Sequence, residues 1–234
     1  MSDRQDLTVR AFGVDETLAT TARRAKTPDL DTIVKVAAKL FHLHGYQNTT
    51  MQLLASELGI AKPTLYAHAK SKGFLLGRVF QGVLHRADLV ISEALAKPDP
   101  LEAVTSLIDG QIRLSVMYRD YYGVIYGDQR ELPEDLERAY QAWMKTFVTN
   151  VSGLMERGQR AGAIREDITP VVAAQAVIGI TGWSARWLRP HSGLSVDSAS
   201  RQITTLVLGG LSAERPTSGS ASSASGRLRA KGRT

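Results

Sequence analysis

The chain has 234 residues, 43% of them apolar, enough to bury a sizeable core; it has no cysteine, so disulfides, thiolate-zinc sites and a cysteine nucleophile are excluded. Its first residues, MSDRQDLTVRAF, are acidic in part and lack the apolar run of a secretory signal, which points to a cytoplasmic protein. The net charge of +6 is uneven: Lys and Arg against Asp and Glu sum to zero over residues 1–30, +3 over 31–76, −1 over 77–211 and +4 over 212–234, so only two segments suit a polyanionic partner.

Residues 1–28 lack helical periodicity and read as a flexible arm. From Asp31, Ile33, Ala37, Leu40 and Phe41 mark one face of an amphipathic helix that stops at Gly45. Thr49 or Thr50 caps a second helix burying Met51, Leu54, Ala55 and Leu58, and Gly59 supplies its exit turn. The stretch GIAKPTLYAHAKSK holds a short third helix, after which Ser71 caps a long one running through Leu75, Leu76, Val79, Val83, Ala87, Val90 and Leu95. Asp99, Pro100 and Glu102 start a helix reaching about Arg119, and an aromatic segment, YYGVIYGD, follows. Pro133 opens a helix to about Arg160; residues 170–188 and 196–211 form the last two. No stretch alternates with the period of a sheet, so the fold is all-α with about nine helices. Residues 168–185 are uncharged, yet Pro170, Gln175 and Thr181 make them a buried interface helix rather than a membrane span. Residues 212–234 are Ser/Gly-rich, then basic, and read as a disordered tail.

The third helix has little to bury beyond Ile60, Leu65 and Ala69, so its other face points outward with Lys62, Thr64, Tyr66 and His68. Cations, a hydroxyl and a phenol at that spacing suit base edges and phosphates in a major groove, the role of the second helix in a helix-turn-helix. The run from Gly45 and Tyr46 through TTMQLLASELGIAKPTLY to KSK and Leu75, Leu76 resembles the DNA-binding domain of TetR-family transcriptional regulators. Three positions depart from the family pattern: Ala61 replaces a serine cap, Ala69 a phenylalanine whose space Phe74 is expected to take, and Gly73 a glutamate. The resemblance implies phosphate contacts from Thr50, Tyr66, His68 and Lys72, and base-edge contacts from Lys62, Pro63, Thr64 and Ala67. The domains are then an arm (1–28), a helix-turn-helix domain (29–76), a ligand-binding and dimerisation domain (77–211) and the tail.

By the same resemblance the larger domain binds a small inducer and dimerises through its last two helices. The small residues Ala173, Ala174, Ala176, Gly179 and Gly182 in the first, with Leu206, Leu208, Gly209 and Gly210 in the second, allow that close approach. Met117, Tyr118, Tyr121, Tyr122, Ile125, Trp143, Phe147, Trp183, Arg186 and Trp187 are the candidate ligand-binding residues, an adaptable apolar set; the same stripes also read as plain core. The segments GAIREDITP and GWSARWLRPHSGLS are similar to the C-terminal region of TetR-type regulators of fatty-acid and steroid breakdown, which adds acyl-CoA thioesters to the inducer classes, with Arg186 or Arg113 meeting an anionic group.

An enzyme is not expected. Tyr66 and Lys70 form a YxxxK string, but no strand leads into a dinucleotide loop, and there is no GxSxG or HExxH; no cofactor or metal is implied. The reading is a dimeric, ligand-responsive regulator, a repressor of a palindromic operator. The alternative is a helical protein-interaction scaffold without sequence-specific DNA binding.

Overall fold

The computed structural model describes residues 28–127, 133–189 and 193–213. Almost all of the arm and the tail therefore lie outside the described residues. Nine helices occur among them: α1 Leu30–His44, α2 Met51–Glu57, α3 Lys62–His68, α4 Lys72–Leu95, α5 Pro100–Met117, α6 Arg119–Ile125, α7 Glu134–Arg160, α8 Pro170–Trp187 and α9 Val196–Leu211. An isolated antiparallel bridge joins Ile164 to Ser212.

Short polar side chains set most of the starts. Asp29 accepts from the Thr32 amide at 2.8 Å, Thr50 from Leu53 at 3.1 Å, Ser71 from Phe74 at 3.0 Å, Asp99 from Glu102 at 2.7 Å and Ser195 from Ser198 at 3.1 Å. Thr50 is thus the cap of α2, while Thr49 is buried and donates its hydroxyl to the carbonyls of Leu40 and Gly45. One boundary differs from expectation. The helix from Pro100 ends at Met117 because Tyr118 leaves helical geometry (φ −109°, ψ 38°), and α6 starts anew at Arg119.

α4 belongs to both halves of the molecule. Leu75, Leu76, Val79, Phe80, Val83, Ala87, Ile91 and Ala94 are buried along it, and it packs against α1, α5, α6 and α7. Each large apolar side chain so buried contributes about 1.5–3 kcal/mol relative to exposure, which ties the small N-terminal bundle to the larger one. Arg157 of α7 donates to the carbonyls of Leu95 and Lys97, closing the C-terminal end of α4. α5 packs against α4, α7, α8 and α9 at the centre of the larger bundle.

The N-terminal bundle also rests on α6. His42 Nδ1 lies 2.9 Å from Asp120 Oδ1, and the absence of a side chain at Gly123 lets the imidazole sit on the α6 backbone. Within the bundle, Phe74 does not take the place of the missing phenylalanine: Ala69 is fully buried while Phe74 is 37% exposed. The aromatic support comes instead from Tyr46, edge-on to Phe41 with centroids 5.3 Å apart and covered by the Lys72 ammonium at 4.2 Å.

Candidate nucleic-acid interface and ligand cavity

α2 and α3 are joined by a turn with Gly59 at φ 64°, a backbone state that a β-carbon disfavours, and the Ile60 amide returns to the Ala55 carbonyl at 3.0 Å. This geometry drops Leu65 into the core and turns the rest of α3 outward. Lys62, Pro63, Tyr66, Ala67 and His68 are exposed and Thr64 is half-buried; Tyr66 keeps 45% of its surface, unusual for so large an aromatic side chain, with the Lys62 ammonium 6.0 Å from its ring centre. Ala61 caps α3 with no side-chain hydrogen bond, and Pro63 in the first turn removes one of the amides that would need one.

Two of the sequence-derived contact residues are engaged within the protein. Thr50 is exposed but spends an oxygen lone pair on the α2 cap. Lys72 donates to the carbonyls of Tyr46 at 2.6 Å and Gln47 at 3.1 Å. Its ammonium therefore ties the α1–α2 connection to the start of α4, a role sequence order alone does not reveal.

The larger bundle holds a narrow, mainly apolar cavity, open on one side, with about 30 Å³ of free volume, so that a ligand larger than a water molecule has to spread its walls. Tyr122, Ile125, Trp143 and Phe147 line it, as the sequence suggests. Tyr140, Trp143 and Phe147 form a ladder with successive centroids 6.2 and 4.9 Å apart, and Trp143 Nε1 donates to Asp88 of α4 at 2.8 Å. The other candidates lie elsewhere. Tyr118 and Tyr121 border a separate polar cleft between α1 and α4, where Arg86 stacks on Tyr118 at 4.5 Å. Arg186 borders another opening with Arg119 and Arg189, donates to the Tyr126 carbonyl and stacks on Trp183. Met117 is 75% exposed, and Trp183 and Trp187 stand on the outer face of α8. Arg113 is held by Asp109 at 2.8 Å and by Asp197 of α9 at 2.7 Å, so it links α5 to α9.

Several lining residues escaped the sequence reading, among them Gln111, Tyr126, Tyr140, Thr181 and Gly182. Gln111 carried a usable signal: it falls on the face of α5 that buries Leu107, Ile108 and Ser115. Gly182 faces inward, not toward an interface, because a β-carbon there would overlap the Tyr126 phenol. Burial pushes the Tyr122 hydroxyl far above the ordinary tyrosine range and also raises Tyr126, so both stay protonated. The Tyr122 hydroxyl accordingly donates to Gln111 Oε1 at 3.2 Å.

Two faces remain. α8 exposes Val171, Val172, Ile180, Trp183 and Trp187, and α9 exposes Leu206, Gly209 and Gly210. No helix among the described residues is long and apolar enough to cross a membrane.

Comparison with known proteins agrees with this geometry. Residues 33–79 match the family model described as bacterial regulatory proteins, tetR family, and residues 97–211 match the tetracyclin repressor-like C-terminal domain. The HTH-type transcriptional repressor KstR2 of Rhodococcus jostii is 29% identical over 210 residues, 84% of this chain and 95% of that protein. The solved structure of the ketosteroid transcriptional regulator KstR2 of Mycobacterium tuberculosis superposes with a TM-score of 0.73 at 21% identity, covering 78% of this chain and 94% of that one. AibR, solved in complex with isovaleryl coenzyme A and operator DNA, gives a TM-score of 0.68 at 22% identity, covering 76% of this chain and 96% of that one. These relatives are regulators, not enzymes, and with both halves matched in order the chain belongs to the TetR family of bacterial transcriptional regulators.

Proposed function

We propose that the protein is a homodimeric repressor that holds a palindromic operator through α3 and releases it when a largely apolar inducer, an acyl-CoA thioester, enters the cavity. The observation that carries the DNA-binding part is the outward face of α3, where Lys62, Tyr66 and His68 are exposed on a helix anchored by Leu65. Lys62, Pro63, Thr64 and Ala67 read base edges; Tyr66, His68 and Thr50 hold phosphates. Lys72 supports this surface from beneath. For dimerisation the support is the apolar outer face of α8 and α9, which would bring two copies of α3 about one helical turn of DNA apart, about 34–36 Å.

For the inducer, the support is the aromatic cavity together with the thioester and operator bound by AibR. The route between the sites is short: Tyr122 of α6 lines the cavity, and one residue later Gly123 carries His42 of α1. Displacing α6 would tilt α1 and, through α2, which packs on both α1 and α3, the reader helix.

The experiment is a mobility-shift titration with DNA from the protein's own promoter region. Wild type shifts it with an affinity that falls steeply as salt rises, as release of counterions from several phosphate contacts demands, and Lys62→Ala with Tyr66→Ala abolishes the shift while circular dichroism is unchanged. Binding by that double variant as tight as wild type would show that α3 is not the reader, and the absence of any salt-sensitive binding by wild type would favour the protein-interaction scaffold. Acyl-CoA thioesters raise Tm and release the DNA; a panel in which none does either removes that inducer class and leaves the repressor reading standing.

A further inference from the structure

Gln111 is the exception in the cavity wall. It sits mid-helix in α5 between buried Leu107, Ile108 and Ile112, with only 7% of its surface accessible. Its Oε1 accepts from Tyr122, but its Nε2 is buried with no hydrogen-bond partner. Neighbouring polar groups do not serve it: the Trp143 indole N–H is itself a donor and is given to Asp88, and the Thr181 hydroxyl, turned toward the carbonyls of Val177 and Ile178, makes no bond to Nε2. A buried amide N–H without an acceptor is costly, and an apolar residue of similar size would fit the surrounding core better. The group is thus poised for an acceptor brought from outside.

We infer that the Gln111 carboxamide donates a hydrogen bond to a carbonyl oxygen of the inducer, so that the cavity selects an apolar body carrying that oxygen against a pure hydrocarbon. The inference rests on the cavity being the inducer site. Tyr122 orients the amide by fixing Oε1, which leaves the N–H pair for the ligand, and the Tyr140, Trp143 and Phe147 ladder offers flat apolar surface for the remainder. The oxygen has two sources in a thioester: the thioester carbonyl itself or a ketone on the acyl body.

Two probes separate these sources, cyclohexanecarbonyl-CoA and 4-oxocyclohexanecarbonyl-CoA, titrated by calorimetry into the full-length wild type and Gln111→Leu/Tyr122→Phe. The double variant removes both partners of the internal bond, so neither is left unpaired. About ten- to hundredfold weaker binding of the oxo probe alone assigns the amide to the ketone. The same loss for both probes assigns it to the thioester carbonyl. If both bind the double variant as tightly as wild type, the inference fails while the cavity reading stands. If neither binds wild type, both fall together. A second readout needs no ligand: the unliganded double variant melts at or above wild type when the amide is kept for binding. Melting well below it would make Gln111 a structural residue and overturn the proposal.

Discussion

At the scale of single residues, the informative positions are those where an ordinary side chain is missing or is used in an unexpected way. Gly123 and Gly182 are glycines inside helices, each occupied by a neighbour's ring, His42 in one case and Tyr126 in the other. A β-carbon at Gly182 would push the Tyr126 phenol, and with it the shared wall of the cavity. Gly182→Ala is expected to destabilise the protein by about 1–3 kcal/mol in urea denaturation, the usual cost of overpacking a core, and to weaken inducer release more than DNA binding. An unchanged midpoint and inducer response would show that Tyr126 yields freely. Neither glycine's partner is legible in the sequence, because each lies many residues away, His42 on α1 and Tyr126 at the C-terminal cap of α6. Lys72 teaches the same lesson: resemblance assigns it to phosphate, whereas its ammonium is held by the carbonyls of Tyr46 and Gln47.

At the scale of elements, local chemistry decided most boundaries. Five helices start at a side-chain cap that can be read from the residues alone, since each cap satisfies amides within its own first turn. α3 is the exception among the reader elements, with Ala61 at its cap and Pro63 in its first turn. Restoring the hydroxyl with Ala61→Ser should stabilise the protein by about 0.5–1 kcal/mol, provided the Thr64 amide can reach it, and thermal denaturation checks this. No gain would mean that Pro63 already holds the first turn in a shape no cap improves. The reverse change on α4, Ser71→Ala, should cost about 1 kcal/mol in the same measurement, because the Phe74 amide loses its acceptor.

At the scale of the whole molecule, the two apolar faces of α8 and α9 carry the prediction. Trp183 is 53% and Leu206 70% exposed in a single chain, and Val172 and Ile180 are exposed on α8 as well, apolar surface of the kind that serves protein–protein contact. Ile180→Glu with Trp183→Glu would bury charge in a dimer, so sedimentation should give a monomer, and operator affinity should fall by at least an order of magnitude although α3 is untouched. A monomer that still binds its operator at full strength would separate DNA recognition from dimerisation. The placement of the aromatic residues belongs to this scale too. Of ten candidates for the ligand site, Tyr122, Ile125, Trp143 and Phe147 converge on one cavity, while Met117, Trp183 and Trp187 face outward.

The residues alone determined the all-α class, the order of the helices, the outward face of α3 and the family, because caps, helical periodicity and a glycine turn act over a few positions and leave their mark in adjacent letters. Only the tertiary structure decided which aromatics enclose the cavity, that Gln111 lies buried with a free amide, that Lys72 is a clamp and that Arg113 joins α5 to α9. Those outcomes depend on which faces of distant helices meet, and periodicity reports that a face is buried without naming what it is buried against.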